Sequence, residues 1–237
     1  MTIDGPAASG KSTTARRVAR TLGWLYLDTG AMYRSMAVKV LQEGIALEDA
    51  ERIGRLAEKT RIELMPTGSG TRVLLDGTDV TSSIRTPEID GAVGPVCEVP
   101  RVREILVQQQ RRIGGHGNVV AEGRDMGTVV FPDADVKFFM VASLEQRAER
   151  RLRDMSAQGI EVRLTDLKEE ISKRDDRDSR RSHSPLKQAE DAFLLDTTTL
   201  SVDEQVSFVI EQIRRRGGLD AKRNQLTTET GEAEKSR

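Results

Sequence analysis

The residues best suited to chemistry stand at the start of the sequence. The G-x-x-x-x-G-K-[ST] spacing of a phosphate-binding loop is met by Gly5, Gly10, Lys11 and Ser12. Glycines let the backbone curl until its N–H groups point at a polyphosphate, and the N-terminal end of a following helix favours the same anion. A lysine at this position reaches the β- and γ-phosphates, and the serine hydroxyl can bind Mg²⁺. We therefore predict a nucleoside-triphosphate site.

Acidic residues follow a second buried segment of the chain. Residues 118–122 have the pattern of a parallel strand, and Gly123, Arg124 and Asp125 come directly after it. Ligands of α/β proteins bind at the carboxyl ends of such strands. Glu122 or Asp125 could therefore hold Mg²⁺ through water. The alternative is a strand-end turn with a solvated ion pair.

A third group of residues lies in an Arg- and Asp-rich segment, residues 163–181. On a helix, Arg174, Arg177 and Arg181 share one face, so their guanidinium groups converge. Phosphoryl transfer requires cations that neutralise the charge of the moving group, and the multi-donor guanidinium suits that task. The alternative is a surface helix with i,i+4 pairs such as Arg174 with Asp178.

Thr29, Tyr33 and Arg34 follow the second predicted strand and form a weaker signal. Thr29 could simply be a helix N-cap, and Arg34 a surface residue. These three residues do not define a site by themselves.

The elements around these residues predict an α/β fold. A short extended run precedes the phosphate loop, and apolar residues recur at helical spacing after it, which argues against a chance glycine-rich turn. Residues 61–80 instead contain two alternating segments, with Ile62 and Leu64 facing Val73 and Leu75, and predict a small antiparallel insertion. The predicted parallel strands after the first are residues 24–27, 118–122, 136–142 and 192–195, and predicted helices include residues 48–59, 87–97 and 100–113.

Composition excludes several classes of partner. The 37 Lys and Arg nearly balance the 38 Asp and Glu, so no global basic field attracts nucleic acid or membrane. Aromatic residues make up only 3% of the chain, too few for a base-stacking platform. We expect neither a nucleic-acid polymer nor a membrane as partner.

The single cysteine and the chain ends bear on location. Cys97 excludes an internal disulfide framework and suits a reducing compartment, and its apolar helical surroundings predict a core position rather than a nucleophile. With no signal segment and no apolar run of membrane-spanning length, we expect a soluble cytoplasmic protein. Residues 217–237 are polar without apolar periodicity, and we predict a disordered tail there.

Six motifs follow one another to about residue 215. They are IDGPAASGKST (3–13), YLDTGAMYR (26–34), DVTSSIRTPEI (79–89), AEGRDMGTVVFPDA (121–134), KRDDRD (173–178) and LLDTTTLS (194–201). In type and order they resemble the bacterial cytidylate kinase family, which belongs to the nucleoside-monophosphate kinases with a phosphate-binding loop. The EGRDMGTVVFPDA and RDDRD segments make the resemblance specific, because they are not features of phosphate-loop enzymes in general.

The resemblance implies a single domain over residues 1–216 with a phosphate-loop type of parallel sheet flanked by helices. Its core would comprise residues 1–60, 114–162 and 182–216. A monophosphate-binding insertion would cover about residues 61–113, and a short helical lid about residues 163–181. The implied activity is conversion of CMP and dCMP to their diphosphates by MgATP. We expect the protein to be a monomer.

The resemblance also implies roles for individual residues. ATP would be bound by Gly5, Pro6, Ala7, Ala8, Ser9, Gly10, Lys11, Ser12 and Thr13. Tyr33, Arg34, Arg124 and Arg181 would surround the acceptor phosphate. Arg103 and Asp125 would address cytosine with Thr29 nearby, and Arg174 and Asp178 would meet the ribose. The catalytic residues would be Lys11, Arg124, Arg174 and Arg181.

One departure and two alternatives stay open. Members of the family usually carry serine where this chain has Gly94, so we expect one base contact to be missing and water to fill its place. A phosphate-loop kinase for another small acceptor, such as UMP or shikimate, is one alternative. A GTP-dependent switch is the other, and it is disfavoured because the sequence has neither an Asn-Lys-x-Asp motif nor an Asp-x-x-Gly motif.

Overall fold

The computed structural model describes residues 1–68, 70–115, 117–157 and 159–217. Five parallel strands form a sheet in the order β2-β6-β1-β7-β8. Their bounds are β1 Thr2–Asp4, β2 Leu25–Asp28, β6 Val119–Gly123, β7 Lys137–Val141 and β8 Phe193–Asp196. The inner strands are buried almost throughout because helices cover both faces of the sheet. The predicted α/β fold class is confirmed.

Eight α-helices surround the two sheets in the described part of the chain. They are α1 Lys11–Leu22, α2 Thr29–Gln42, α3 Ala50–Lys59, α4 Pro87–Glu98, α5 Pro100–Gly114, α6 Leu144–Ser156, α7 Leu164–Arg180 and α8 Val202–Arg215. Apolar residues of α1 and α8 pack on one face of the parallel sheet, around Ile3, Phe138 and Ile213. Helices α2, α4 and α5 pack on the other face and share their core with the insertion.

The insertion is a three-stranded antiparallel sheet of β3 Ile62–Thr67, β4 Gly70–Leu75 and β5 Thr78–Asp79. Ile62 lies opposite Leu75, and Leu64 opposite Val73, as the alternation of apolar residues predicted. The two-residue strand β5 was not predicted. It is too short to show an alternating pattern.

Helix α7 contains most of the Arg- and Asp-rich segment. It packs against α6 through a separate small core formed by Ala148, Leu167 and Ile171. A helix with its own small apolar contact has fewer ties to the main core than the strands have. Its function as a lid stays a prediction.

Two local features differ from expectation. Thr29 is not the N-cap of α2, because Asp28 occupies that position and its Oδ1 accepts the Ala31 N–H at 2.9 Å. A π-helical turn, Met126–Val130, follows β6 and was not predicted.

Two sequence-based expectations concern the chain ends and membranes. Apart from Gly217, the predicted disordered tail lies outside the described residues. None of the helices that the structure describes is long and apolar enough to cross a membrane.

Candidate functional site

The phosphate loop connects β1 to α1, and its backbone depends on two glycines. Gly5 has φ +148° and Gly10 has φ +97°, conformations that residues with a side chain rarely adopt. A Cβ on Gly5 would also lie 3.0 Å from the carbonyl carbon of Met140 in the neighbouring strand. These two positions of the motif are therefore fixed by backbone geometry.

Lys11 folds back onto this loop. Its Nζ donates to the Pro6 carbonyl at 2.6 Å and to Ser9 Oγ at 3.4 Å, and the residue is buried. Burial, followed by the charge of Arg124, lowers the pKa of Lys11 to about 7. An anion bound in the loop would reverse that shift, because it favours the charged ammonium.

Ser12 and Glu122 form the polar contact that fits a metal site. Ser12 Oγ donates to Glu122 Oε2 at 2.8 Å, and the Tyr26 hydroxyl donates to Glu122 Oε1 at 2.5 Å. Strand pairing places Glu122 beside Asp28 at the carboxyl edge of the sheet. Burial, and then the Asp28 charge, raises the pKa of Glu122.

Asp125, the other predicted metal candidate, lies elsewhere. Its carboxylate is buried in an ion pair with Arg103, whereas the Ser12 hydroxyl donates to Glu122, so Glu122 is the carboxylate that lies beside Ser12. Among the described residues, no three His, Cys, Asp or Glu side chains are grouped to hold a metal ion. A metal here would therefore need oxygen ligands from its substrate or from water.

Among the ion pairs that tie α7 to the rest of the protein, two reach the site. Arg124 Nε donates to Asp178 Oδ2 at 2.8 Å, so the predicted alternative pair of Arg174 with Asp178 is replaced by a pair across elements. Arg147 on α6 donates to Asp175 Oδ2 at 2.5 Å and to the Ala7 carbonyl at 3.2 Å. Helix α7 is thus connected both to the end of β6 and to the phosphate loop.

Three guanidinium groups at the cleft have no carboxylate partner in the described part of the chain. Neither Arg174 nor Arg177 makes a side-chain hydrogen bond or ion pair with any described residue. Arg181 Nε donates to the Ser184 carbonyl at 2.5 Å, but its Nη2 is buried without a partner. Burial and the Arg124 charge lower the pKa of Arg174 to about 10. All of these N–H groups can donate to an anionic or carbonyl-bearing ligand.

The opposite end of the cleft is built on the buried pair of Arg103 with Asp125. The Arg103 guanidinium lies over the Tyr33 ring, with Cζ 5.4 Å from the ring centroid, and its Nε has no partner. Thr29 Oγ1 donates to the Glu122 carbonyl at 2.7 Å, which fixes the start of α2 beside β6. Burial raises the pKa of the Cys97 thiol to about 11, which keeps it a poor nucleophile.

The guanidinium of Arg34 forms an ion pair with a carboxylate, unlike those of Arg174 and Arg177 within the described residues. The Arg34 guanidinium pairs with Asp90 of α4, and Arg151 of α6 donates to the same carboxylate at 2.7 Å. Asp90 thus connects α2, α4 and α6 at the rim of the cleft. This connection was not predicted from the sequence.

These residues line a single cleft of about 420 Å³. Ten Lys and Arg side chains line it against seven Asp and Glu, so it is suited to a polyanion. The predicted site residues that line it are Ala7, Ala8, Lys11, Ser12, Thr13, Thr29, Tyr33, Arg34, Arg103, Glu122, Arg124, Asp125, Arg174, Asp178 and Arg181. The remaining residues of the phosphate loop do not line the cleft but determine the shape of the loop; they are Gly5, Pro6, Ser9 and Gly10.

The expected gap at Gly94 is filled. The guanidinium of Arg177 lies in the space that a side chain at 94 would occupy, so the expectation of a water-filled gap is wrong. Gly94 itself has ordinary helical backbone within α4, and a serine there would not be strained through φ.

Further supports of the loop were missed by sequence analysis. Thr197 Oγ1 donates to the Ser9 carbonyl at 2.8 Å, and Thr14 Oγ1 donates to Gln205 Oε1 at 2.8 Å. Thr197 lies within the LLDTTTLS motif, so the motif was visible but its contact with the loop was not.

Comparison with known proteins identifies the family. The model of the family described as cytidylate kinase matches residues 1–215. A cytidylate kinase of Caldanaerobacter subterraneus subsp. tengcongensis is 52% identical over 91% of this chain and 94% of the relative. A cytidylate kinase of Carboxydothermus hydrogenoformans is 49% identical over 91% of this chain and 97% of the relative. A cytidylate kinase of Bacillus subtilis is 45% identical over 91% of this chain and 96% of the relative. The chain therefore belongs to the cytidylate kinase family.

Proposed function

We propose that this protein transfers the γ-phosphoryl group of ATP to CMP and dCMP, producing ADP and CDP or dCDP. The observation that carries the proposal is one cleft in which a phosphate loop faces guanidinium groups without carboxylate partners. Membership of the cytidylate kinase family supports the choice of substrate.

The chemistry follows from the charges in the cleft. An oxygen of the acceptor phosphate attacks the γ-phosphorus in line, the bond to the β–γ bridging oxygen breaks, and ADP leaves. The acceptor is already an oxyanion, so the reaction needs no general base. Catalysis then consists of alignment and electrostatic stabilisation by Lys11 and by the arginines at the cleft.

We assign the two substrates to the two ends of the cleft. Residues 5–13 bind ATP, with Lys11 at the β- and γ-phosphates. Arg124, Arg174 and Arg181 neutralise the transferred and acceptor phosphates, joined by Tyr33 and Arg34 on the acceptor side. Asp178 and Arg174 would hold the acceptor's ribose.

The Arg103–Asp125 pair supplies both a donor and an acceptor at the acceptor end. The buried Asp125 oxygens can accept from an exocyclic amine, and Arg103 can donate to a ring carbonyl oxygen. Cytosine carries both kinds of group on one edge. Thr29 positions the start of α2 beside this pair rather than contacting the base directly.

We propose Mg²⁺ as the cofactor, held by Ser12 and, through water, by Glu122. The hydroxyl and carboxylate are already within hydrogen-bond distance at 2.8 Å, and oxygen ligands of this kind suit Mg²⁺. When bound, Mg²⁺ would neutralise charge on the β- and γ-phosphates. We further propose that α7 acts as a lid which excludes water, that the protein is a monomer, and that it works in the cytoplasm.

An acceptor panel tests this function. ATP consumption is measured with CMP, dCMP, UMP, AMP, GMP and shikimate at equal concentrations, with Lys11→Ala as the inactive control. We expect CMP and dCMP to be the best acceptors and consumption without acceptor to be minor. Preference for UMP or shikimate, or equal turnover without any acceptor, would reject the proposal.

A further inference from the structure

Arg177 of α7 stands over Gly94 of α4. A Cβ built on Gly94 would lie 2.6 Å from Arg177 Cζ, closer still to Nη1 and 3.0 Å from Nη2. Real Cβ atoms are not found that close to other heavy atoms. A side chain at 94 and the guanidinium cannot share this space, so the glycine is what allows Arg177 to approach α4.

The guanidinium has no protein partner at this place. Within the described part of the chain it makes no hydrogen bond or ion pair, and it is exposed at the cleft. The acids next to it on α7 are already used, because Asp175 pairs with Arg147 and Asp178 pairs with Arg124. A guanidinium offers five N–H donors and no acceptor. The Arg177 N–H groups are therefore free to donate hydrogen bonds to acceptors of a ligand.

Arg177 lies toward the part of the cleft that contains the Arg103–Asp125 pair, where we propose that the acceptor's base binds. Arg177 also lines an adjoining recess of about 380 Å³ together with Cys97, Arg103 and Arg181. No residue of the phosphate loop lines that recess. The recess instead adjoins the Arg103–Asp125 pair, where hydrogen-bonding groups of both kinds are available.

Building on the proposed function, we propose that Arg177 is a specificity-determining residue that donates hydrogen bonds to the pyrimidine of the acceptor from above Gly94. Cytosine presents two neighbouring acceptors, N3 and O2, whereas uracil presents an N3–H donor beside O2. A donor-only guanidinium therefore favours cytosine, and an N–H facing its own N–H disfavours uracil. Asp125 completes the selection by accepting from the exocyclic amine.

The kinetic test uses Arg177→Ala and Arg177→Lys, with Lys173→Ala as matched control. Lys173 is an exposed cation one turn earlier on α7, paired with Glu169. For Arg177→Ala we expect about a 10-fold rise in KM for CMP, since hydrogen bonds to a charged donor are lost, with kcat changed less than about twofold. In the same variant the KM for ATP should stay unchanged, and the preference for CMP over UMP in kcat/KM should fall several-fold. Arg177→Lys should retain part of that preference.

A second arm uses the packing at Gly94. Gly94→Ser should push the guanidinium aside in the wild type but meet empty space in Arg177→Ala, so its effects on KM for CMP should not add in the double variant. Additive effects would show that the two positions do not share the base site, and would overturn the proposal.

Other outcomes would also overturn it. If Arg177→Ala lowered kcat/KM equally for CMP and UMP, Arg177 would contact the phosphate or the ribose rather than the base. If it raised the KM for ATP, Arg177 would contact the phosphoryl donor. Unchanged CMP kinetics would leave Arg177 without a substrate contact. Calorimetric titration of CMP and UMP into ATP-free protein gives the same comparison without turnover, so it separates this inference from the proposed function. Melting temperatures establish that each variant is folded.

Discussion

At the phosphate loop the polar side chains already have partners within the protein, whereas on α7 several guanidinium groups have none. Lys11 bonds to the Pro6 carbonyl, and Ser12 bonds to Glu122. Arg174 and Arg177 lack such bonds among the described residues, and Arg181 keeps one buried donor open. The loop is therefore preorganised by contacts within the protein, whereas the guanidinium donors of Arg174 and Arg177 on α7 stay open to a ligand. The comparison predicts which substitutions affect the fold and which affect only turnover.

The largest expected effect comes from the loop. Lys11→Ala should lower kcat by about 10²–10³, because a charge-assisted contact to the transferred phosphoryl group is lost, equivalent to about 3–4 kcal/mol. The melting temperature should change little, since the Lys11 partners are a backbone carbonyl and a hydroxyl. Lys59→Ala, an exposed cation on α3, is the control. An active Lys11→Ala enzyme would contradict the assignment of the loop.

Substitution of the open arginines should affect turnover next most strongly. Arg181→Ala, and separately Arg174→Ala, should lower kcat by about 10²-fold while the ATP dissociation constant changes by less than about threefold, since these donors act on the transferred charge. Steady-state kinetics with nucleotide titrations separate the two quantities. Loss of ATP affinity with normal acceptor kinetics would place these residues on the donor instead.

A smaller effect on turnover, but a measurable effect on stability, is expected for the paired arginine. Arg124→Ala leaves Asp178 without its partner, and breaking such a pair costs about 2–4 kcal/mol when the acid stays partly buried. Urea denaturation of Arg124→Ala, Asp178→Ala and the double variant measures the coupling. The double variant should be more stable than Arg124→Ala alone. Equal stability of the two would show that the pair does not tie α7 to the core.

The sequence reveals a structural feature when the residues that form it are close together along the chain. The spacing of the phosphate loop and the alternation of Ile62 and Leu64 are local patterns, and each specified its structure. Arg147 reaches Ala7 across 140 positions, and Thr197 reaches Ser9 across 188. Such contacts depend on how the sheet orders its strands, which no local pattern encodes.

The contact of Arg177 with Gly94 escaped prediction for the same reason. A missing side chain suggests empty space when only one segment is considered. The space was filled by a residue of another helix, 83 positions later in the numbering. The Arg-rich face of α7 was predictable from helical spacing, but the choice of which arginines receive acid partners was not.

The last expected effect is on the pH dependence of stability and concerns Asp4, whose carboxylate accepts the N–H groups of Met126 and Gly127 at 2.8 and 2.7 Å. Burial raises its pKa to about 6, so the folded protein holds a proton there that the unfolded chain releases from about pH 4 upward. This group therefore stabilises the fold less as pH rises through about 6.

Asp4→Asn should remove that pH dependence. Urea denaturation from about pH 4 to about pH 8 should show the stability of the wild type falling relative to the variant up to about pH 7, with no further relative change above it. Asp133→Asn, an exposed acid, is the control. A stability difference between wild type and Asp4→Asn that is constant over this range would contradict the assigned pKa.

The most direct test of the account is binding of a bisubstrate analogue in which an oligophosphate joins adenosine to cytidine. If one cleft aligns donor and acceptor, calorimetry should give one analogue per chain, bound more tightly than ATP or CMP alone, and displaced by either nucleotide. Arg181→Ala should weaken the analogue more than it weakens ATP. Displacement by only one nucleotide, or affinity no better than that of ATP, would contradict a single phosphoryl-transfer site.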